Sequence, residues 1–317
     1  TLTAVRRNNL FFVPPDLMQR HVPRLLDGVV ALLKAAGAEV FQLPARSAEE
    51  ARDRVRELAA AGAGAASAVI AAGGDGTFRA VASGASGQAL PVGFIPLGTG
   101  NILAYEIGTP KRARALADNL LHNATVPVAG GLVNGAPFFL MVGAGFDAQI
   151  VNGLNYRTKR LIGRAAFTAP VLKTLARPVA PFDVTVDGVA HEASWVIVTR
   201  ASHYGGSFVL TRDTQLGSDP MLAILIDARS RTGLVWAAIN LGLGRLGSVA
   251  TCPKGVQVLA AQRVLIGQGR EAALQVDGDE AGHTPAEVTA GGPVVNLIVP
   301  PAYVADLTKR HTNHLNL

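Results

Sequence analysis

The stretch that decides the fold is AVIAAGGDGT, residues 68–77. Its first half is a short apolar run of the kind that forms a buried strand, and its second half places three glycines around Asp75. Glycine is costly in ordered structure because it loses more backbone freedom on folding than any other residue. The cluster therefore indicates either a bulky group that approaches the backbone or a tight turn, for which Asp-Gly is a common signal.

A second glycine loop, PLGTGN at 96–101, follows another short apolar run at 91–96. Helix-like and strand-like segments alternate from Leu17 to Leu121, which is typical of βαβ units with a mostly parallel sheet. Ligands of such sheets bind at the carboxyl ends of the strands. We therefore predict that the two loops lie side by side, with backbone N–H groups and a helix start that favour phosphate. Neither loop matches the Walker or the Rossmann pattern.

Beyond about residue 130 the pattern changes and predicts a β-rich second domain, a sandwich. Two helical segments interrupt it, at about 159–176 and 232–243. The strand-like runs are 138–142, 182–186, 194–199, 222–226, 256–259, 264–266 and 273–276. The expected fold class is therefore α/β plus β, with a parallel-sheet α/β domain followed by a β-sandwich.

Composition narrows the classes of function. With 317 residues, 49% of them hydrophobic and 16% charged, the chain has ample length for a core and is not disordered. A formal charge of +6 favours an anionic partner, and an aromatic content of 5% disfavours a stacking surface for nucleic acid, so we expect no nucleic-acid partner. One cysteine excludes an internal disulfide. The longest strongly apolar stretch, Gly233 to Gly244, is far short of the roughly 20 residues that span a bilayer, which predicts a soluble, cytoplasmic protein.

Six motifs together resemble the diacylglycerol kinase catalytic-domain family, in particular the bacterial lipid kinases related to sphingosine kinase. The resemblance covers nearly the whole chain after about residue 25. The motifs are GGDGT at 73–77, PLGTGN at 96–101, VGAGFDA at 142–148, HYGGSFVLT at 203–211, LGSDPMLAILI at 216–226 and VDGDEAGHTP at 276–285. The resemblance implies a nucleotide-binding domain at 1–129 with the C-terminal 300–317, a lipid-substrate domain at 130–299, and chemistry in the cleft between them.

The resemblance also implies roles for particular residues. The reaction would transfer the γ-phosphate of ATP, with Mg²⁺, to a hydroxyl of a membrane lipid such as diacylglycerol. Asp75 would organise Mg²⁺ and the phosphates, and as a loop residue it is expected to contribute little to packing. The nucleotide would contact both glycine loops, at Gly73, Gly74, Asp75, Gly76, Thr77, Phe78, Arg79, Gly98, Thr99 and Asn101.

Two further sites follow from the same resemblance. Asp277-Gly278-Asp279 matches the family's Asp-Gly-Glu/Asp motif, whose last acid accepts the proton of the lipid hydroxyl. Asp279 is therefore the expected base, and Asp277 belongs to the same catalytic motif. Glu280 is the rival candidate for the base. A hairpin turn would present Asp279 at its tip. Asp219 resembles the acid of a structural Mg²⁺ site that carbonyls of Leu216 and Met221 would complete, although a proline replaces the usual glycine at 220.

The chain departs from the family at its first strand, which normally ends in Asn-Pro-x-Ser-Gly and here reads VRRNN at 5–9, with VPP at 13–15. This departure leaves open a non-catalytic nucleotide- or lipid-binding protein. A kinase of a soluble substrate, similar to NAD kinase, is the other alternative, although this chain lacks that family's Asn-Glu pair and its Thr-Gly-Ser-Thr-Ala-Tyr run.

The expected partners are the lipid substrate, an anionic membrane surface that the protein contacts peripherally, and a second copy of the chain in a homodimer. Two helices are relevant to these expectations. Arg157, Arg160 and Arg164 share one helical face, which suits either anionic lipid or solvent. The nearly all-apolar helix with Trp236 could shape an acyl-chain pocket, but ordinary core is the favoured interpretation.

Overall fold

The computed structural model describes residues 9–13, 24–62, 64–152 and 180–315. The chain divides into two compact units, one formed by the residues up to Val128 together with those from Val294 onward, the other by Ala129–Pro293. The predicted fold class is confirmed, because the first unit is built on a sheet of parallel strands with helices and the second on antiparallel sheets. The predicted helix at 159–176, with its basic face, lies outside the described residues.

The first unit alternates strands and helices, as its sequence pattern predicts. Its elements are β1 (Asn9–Val13), α1 (Arg24–Ala35), β2 (Glu39–Gln42), α2 (Ala48–Ala60), β3 (Ala68–Gly73), α3 (Asp75–Ala85), β4 (Val92–Pro96), α4 (Ile102–Glu106), α5 (Ala113–His122) and β5 (Thr125–Ala129).

The second unit is mostly strands, after which the chain returns to the first. Its elements are β6 (Gly131–Val133), β7 (Ala136–Phe138), β8 (Met141–Gly145), α6 (Phe146–Asn152), β9 (Phe182–Val186), β10 (Val189–Ala193), β11 (Trp195–Thr199), β12 (His203–Tyr204), β13 (Phe208–Val209), β14 (Met221–Ile226), α7 (Arg231–Gly242), β15 (Val256–Ala261), β16 (Arg263–Ile266), β17 (Ala273–Val276), β18 (Asp279–His283) and β19 (Ala286–Thr289). The returning elements are β20 (Val294–Ile298) and α8 (Pro301–Leu315).

The sheet of the first unit has six strands in the order β2-β1-β3-β4-β20-β5. Strand β3 is parallel to β1 and β4, and β20 is parallel to β4. Gly73 lies opposite Pro96 in the β3–β4 register, so both strands end at the same edge. The return to this unit thus begins at Val294, earlier than residue 300, because β20 supplies a strand of the sheet before α8 starts.

The second unit is a sandwich of two six-stranded sheets, β10-β9-β16-β19-β6-β7 and β15-β14-β11-β8-β17-β18. Its core contains buried aliphatic residues from both sheets, among them Val142, Val196, Leu225, Val264 and Val288. The single strand expected at 138–142 is instead two, because the backbone N–H groups of residues 139–141 bond to a side chain rather than to a neighbouring strand.

Candidate active site

The two glycine loops of the first unit pack directly against each other. A Cβ on Gly98 would lie 2.6 Å from Cα of Gly74, which no real side chain tolerates, so only glycine fits at 98. The Gly98 N–H also donates to the Gly73 carbonyl, at 3.2 Å. The predicted side-by-side placement of the loops is therefore present, at the carboxyl ends of β3 and β4, with α3 beginning immediately after Gly74.

Asp75 joins the starts of two helices. It is the first residue of α3, it is buried, and its carboxylate accepts hydrogen bonds from the backbone N–H of Ile102 at 2.9 Å and of Leu103 at 3.1 Å. These are the first residues of α4, whose own N-cap, Asn101, makes no side-chain cap bond. The expectation that Asp75 contributes little to packing is wrong, because the carboxylate satisfies donors that a helix start leaves unpaired.

Other residues of the predicted nucleotide site have different environments. The Phe78 side chain is fully buried, and its ring meets that of Phe94 edge-on with centroids 5.9 Å apart, so only its backbone is available to a nucleotide. Asn101 closes the second loop, accepting from the Gly98 N–H at 3.0 Å and donating to the Gly98 carbonyl at 2.7 Å. Gly73 is buried and Gly98 is exposed, while Gly74, Gly76, Thr77, Arg79 and Thr99 are partly exposed.

A two-residue hairpin in the second unit carries the predicted base. Val276 pairs with Asp279, and the residues between them, Asp277 and Gly278, have φ angles of 50° and 83°. Positive φ at both central positions is the geometry that two-residue hairpins favour and that Asp-Gly supplies at low cost. The second strand of the hairpin is β18, which begins at Asp279 directly after the turn. Asp279 is exposed, at the first position after the turn.

Asp277 anchors this hairpin to a distant part of the sandwich. Its carboxylate is buried and accepts three backbone hydrogen bonds, from the N–H of Phe139 at 3.0 Å and from those of Leu140 and Met141 at 2.9 Å. Its own N–H donates to the Met141 carbonyl at 2.9 Å. These contacts make Asp277 a residue that positions the turn.

A chain of buried polar groups supports the hairpin from its other side. The Gly278 N–H donates to Oε1 of Gln275 at 2.9 Å, and Nε2 of Gln275 donates to Oδ2 of Asp147 at 3.2 Å. The same oxygen accepts from the Tyr204 hydroxyl at 3.2 Å. A Cβ at Gly143 would overlap this carboxylate, so glycine at 143 makes room for it. Asp147 and Tyr204 fall within the VGAGFDA and HYGGSFVLT motifs, but no local pattern connects either residue with the hairpin.

Burial has a large effect on the ionisation of the Asp147 carboxylate. It raises the pKa of Asp147 from 3.8 to about 7, and the hydrogen bonds from Gln275, Ala148 and Tyr204 only partly oppose it. Burial also raises the pKa of Tyr204 well above its ordinary value, and the nearby Asp147 carboxylate raises it further. Tyr204 therefore stays a hydrogen-bond donor throughout the range in which Asp147 titrates.

Comparison with family models identifies both units. Residues 9–133 match the diacylglycerol kinase catalytic domain, and residues 140–300 match the YegS C-terminal domain, described as a NAD kinase beta sandwich-like domain. The chain belongs to the diacylglycerol kinase catalytic-domain family. The resemblance inferred from the six motifs is thus confirmed.

Individual relatives agree with this membership. A diacylglycerol kinase of Mycobacterium tuberculosis is 29% identical over 86% of this chain and 89% of its own length. A Pseudomonas aeruginosa protein named "Probable lipid kinase YegS-like" is 35% identical over 44% of this chain and 45% of its own length. A crystal structure of a Bacillus anthracis diacylglycerol kinase has the same fold, with a TM-score of 0.70, 20% identity and coverage of 93% and 98%. This chain spans about half the length of some curated relatives, including 54% of an uncharacterised Synechocystis protein.

The family's predicted Mg²⁺ site at Asp219 fits a divalent ion poorly in this chain. The buried guanidinium of Arg200 donates to the carbonyls of Ala290 at 2.9 Å and Gly217 at 3.3 Å, and it interacts electrostatically with Asp219. Oδ1 of Asp219 accepts from Nε2 of Gln262 at 2.8 Å. The positive charge of Arg200 therefore acts on this carboxylate and weakens its attraction for a second cation. The ligand set of Asp219, Leu216 and Met221 remains a prediction that this arrangement disfavours.

Proposed function

We propose that the chain transfers the γ-phosphate of ATP to a hydroxyl of a membrane lipid, with diacylglycerol as the reference substrate. The observation that carries the proposal is the pair of glycine loops packed at the carboxyl ends of β3 and β4, with α3 starting between them. Membership of a diacylglycerol kinase family supports the same reaction.

The first unit would bind ATP. The start of an α-helix carries unpaired N–H groups and a partial positive charge, which favour phosphate, and loops without side chains allow the phosphates close to the backbone. Asp75 would hold Mg²⁺ together with the phosphates, since Mg²⁺ is commonly bound by one or two carboxylates plus substrate phosphates. When bound, the ion would neutralise charge on the transferring group. Because two amides fix the Asp75 carboxylate, its orientation is set before any ligand binds.

The second unit would supply the base. A lipid hydroxyl is a poor nucleophile until its proton has an acceptor, and a carboxylate within hydrogen-bond reach serves that purpose. Asp279 lies on an exposed strand position next to a turn that two buried contacts fix, those of Asp277 and of Gln275. Phosphoryl transfer depends mainly on positioning, so a base on a rigid hairpin suits the reaction.

The test is turnover of labelled ATP by the purified chain with Mg²⁺ and a lipid panel that includes diacylglycerol, phosphatidylglycerol and a sphingoid base. NAD is included as a soluble acceptor, because the second unit matches a NAD kinase-like sandwich. The expected result is phosphorylation of at least one lipid and none of NAD. ATP consumption with NAD alone would favour the soluble-substrate kinase, and no transfer to any acceptor would favour a non-catalytic binding protein.

The role of Asp279 has a matched control in its neighbour. Asp279→Asn keeps the size of the side chain but removes the basic oxygen, so turnover should fall by about 10²–10⁴-fold. Glu280→Gln should have little effect, because successive strand residues point to opposite faces and both acids are exposed. A crippling Glu280→Gln with a benign Asp279→Asn would reverse the two assignments.

A further inference from the structure

Helix α7 of the second unit presents two apolar faces, only one of which is buried. Leu234, Ala237 and Leu241 are buried against the sandwich. On the other side Val235, Trp236, Ile239 and Leu243 are exposed at 38%, 43%, 55% and 60%. At about 100° per residue, these four positions fall within an arc of about 100°. The interpretation of this helix as ordinary core is therefore wrong for its outward face.

Two more exposed apolar side chains lie on segments next to α7. Strand β13, which packs against α7, carries the exposed Phe208, and Val249 in the loop after the helix is exposed as well. Single exposed apolar residues are normal on a protein surface, but a contiguous group that includes tryptophan marks an interaction site. We call Val235, Trp236, Ile239 and Leu243 the α7 patch.

Cationic residues outnumber acidic ones around the α7 patch. Residues 228–254 contain four cationic residues and no acidic ones. Arg229 is paired with Asp227 and Glu192, while Arg231, Arg245 and Lys254 have exposed side chains. A third acidic residue, Asp213, accepts a hydrogen bond from the Val249 N–H at 2.6 Å. The surroundings of the patch therefore carry a net positive charge.

We propose that the α7 patch docks on the surface of an anionic lipid bilayer. Apolar side chains with tryptophan on one helix face and cations at its ends are the features of helices that lie in the plane of a membrane interface. Among the described helices none combines the length and apolar character that crossing a bilayer requires, so contact is at the surface. A symmetric dimer through this face is disfavoured, because it would bring the same cations of both copies together. The proposal rests on the proposed function, in which the substrate is a membrane lipid.

Tryptophan fluorescence offers a direct test, because the chain has two tryptophans and one of them, Trp195, is buried. The full chain is mixed with vesicles of phosphatidylglycerol and phosphatidylcholine, or of phosphatidylcholine alone. Binding should shift the emission to shorter wavelength, and lipids brominated near the interface should quench it. Both effects should be strong only with phosphatidylglycerol and should weaken in high salt.

Co-sedimentation with the same vesicles tests whether the residues of the α7 patch contribute to membrane binding. Replacing Ile239 and Leu243 together by serine should lower the partition coefficient at least about tenfold, since each apolar side chain in a membrane contributes substantially to binding. Val189→Ser is the matched control, because Val189 is equally exposed, at 60%, but lies on β10. The urea midpoint should be unchanged in both variants, and quenching of wild-type Trp236 tests the proposal even if the double variant is unstable.

Three results would overturn the proposal. The first is equal partition of the double variant and the wild type, and the second is equal binding to neutral and anionic vesicles. The third is a lower sedimentation mass of the double variant with unchanged vesicle binding, which would assign the patch to a second copy of the chain. Turnover of a monomeric short-chain diacylglycerol, which needs no membrane, distinguishes a failure of membrane docking from a failure of the proposed kinase activity. The double variant should turn over this substrate as fast as the wild type. Absence of turnover in both proteins would contradict only the proposed function.

Discussion

The three hydrogen bonds accepted by Asp277 allow its contribution to stability to be worked out in advance. Asp277→Ala would leave the N–H groups of Phe139, Leu140 and Met141 without this acceptor. Each unsatisfied buried donor costs about 1–3 kcal/mol, so the loss of the acceptor of all three should lower the free energy of unfolding by about 3–9 kcal/mol. A further cost of about 1 kcal/mol comes from the positive φ of 50°, which alanine tolerates less well than aspartate or asparagine.

Asp277→Asn should be milder. The amide oxygen can take the position of Oδ1, which accepts from Leu140 and Met141, but the amide nitrogen then faces the Phe139 N–H. One donor is lost, at a cost of about 1–3 kcal/mol. Tryptophan fluorescence in urea reports the second unit specifically, because Trp195 and Trp236 both lie within Ala129–Pro293. Asp279→Asn serves as the control, expected within about 0.5 kcal/mol of wild type. Wild-type stability in Asp277→Ala would refute the positioning role.

Three other predictions concern buried charged groups. The folded-state pKa of Asp147, about 7, exceeds the 3.8 of an ordinary aspartate, so the stability that its protonation contributes is complete below pH 3.8 and lost as the pH rises to about 7. The loss is at most about 4 kcal/mol. Urea midpoints measured over a range of pH should fall with pH in the wild type, and Asp147→Asn should remove this pH dependence. The same pH dependence in both proteins would contradict the prediction. Asp75→Ala should abolish phosphoryl transfer and also lower the calorimetric melting temperature, because it removes the acceptor of two α4 amides; normal turnover would reject the assignment. A chelator should leave the melting temperature of the second unit unchanged, and a transition that shifts with chelator would support the metal site after all. Arg200→Met should lower the free energy of unfolding of this unit by about 3–6 kcal/mol, because two charge-assisted hydrogen bonds are lost.

The local sequence pattern was sufficient to predict features that depend on residues close together in the chain. The alternation of apolar runs and glycine loops predicted where β3 and β4 end, and parallel pairing then put both loops at one edge. A serine three residues before a glutamate is likewise a local signal for the start of a helix, and the Glu50 N–H donates to Ser47 Oγ at 3.1 Å.

Contacts between distant residues could not be found in this way. Asp277 bonds to amides 136 to 138 residues away, and Asp75 bonds to a helix that starts 27 residues later. Nothing in the local pattern at either end distinguishes such a carboxylate from a solvated turn residue. The outward face of α7 was missed for another reason, since a helix that is apolar all round is normally buried.

The division of the chain has a consequence for its synthesis. The second unit is an insertion between Val128 and Val294, so β20 of the first sheet is synthesised after the whole sandwich. Domains fold as they emerge, so the sandwich can complete its core while the first sheet still lacks the strand beside β4. Until Val294–Ile298 arrives, the edge of β4 is an unpaired template that invites pairing with other chains. The folding of the first unit therefore depends on Val294–Ile298, and a chain that stopped between the sandwich and β20 would keep the sandwich but lack the strand beside β4.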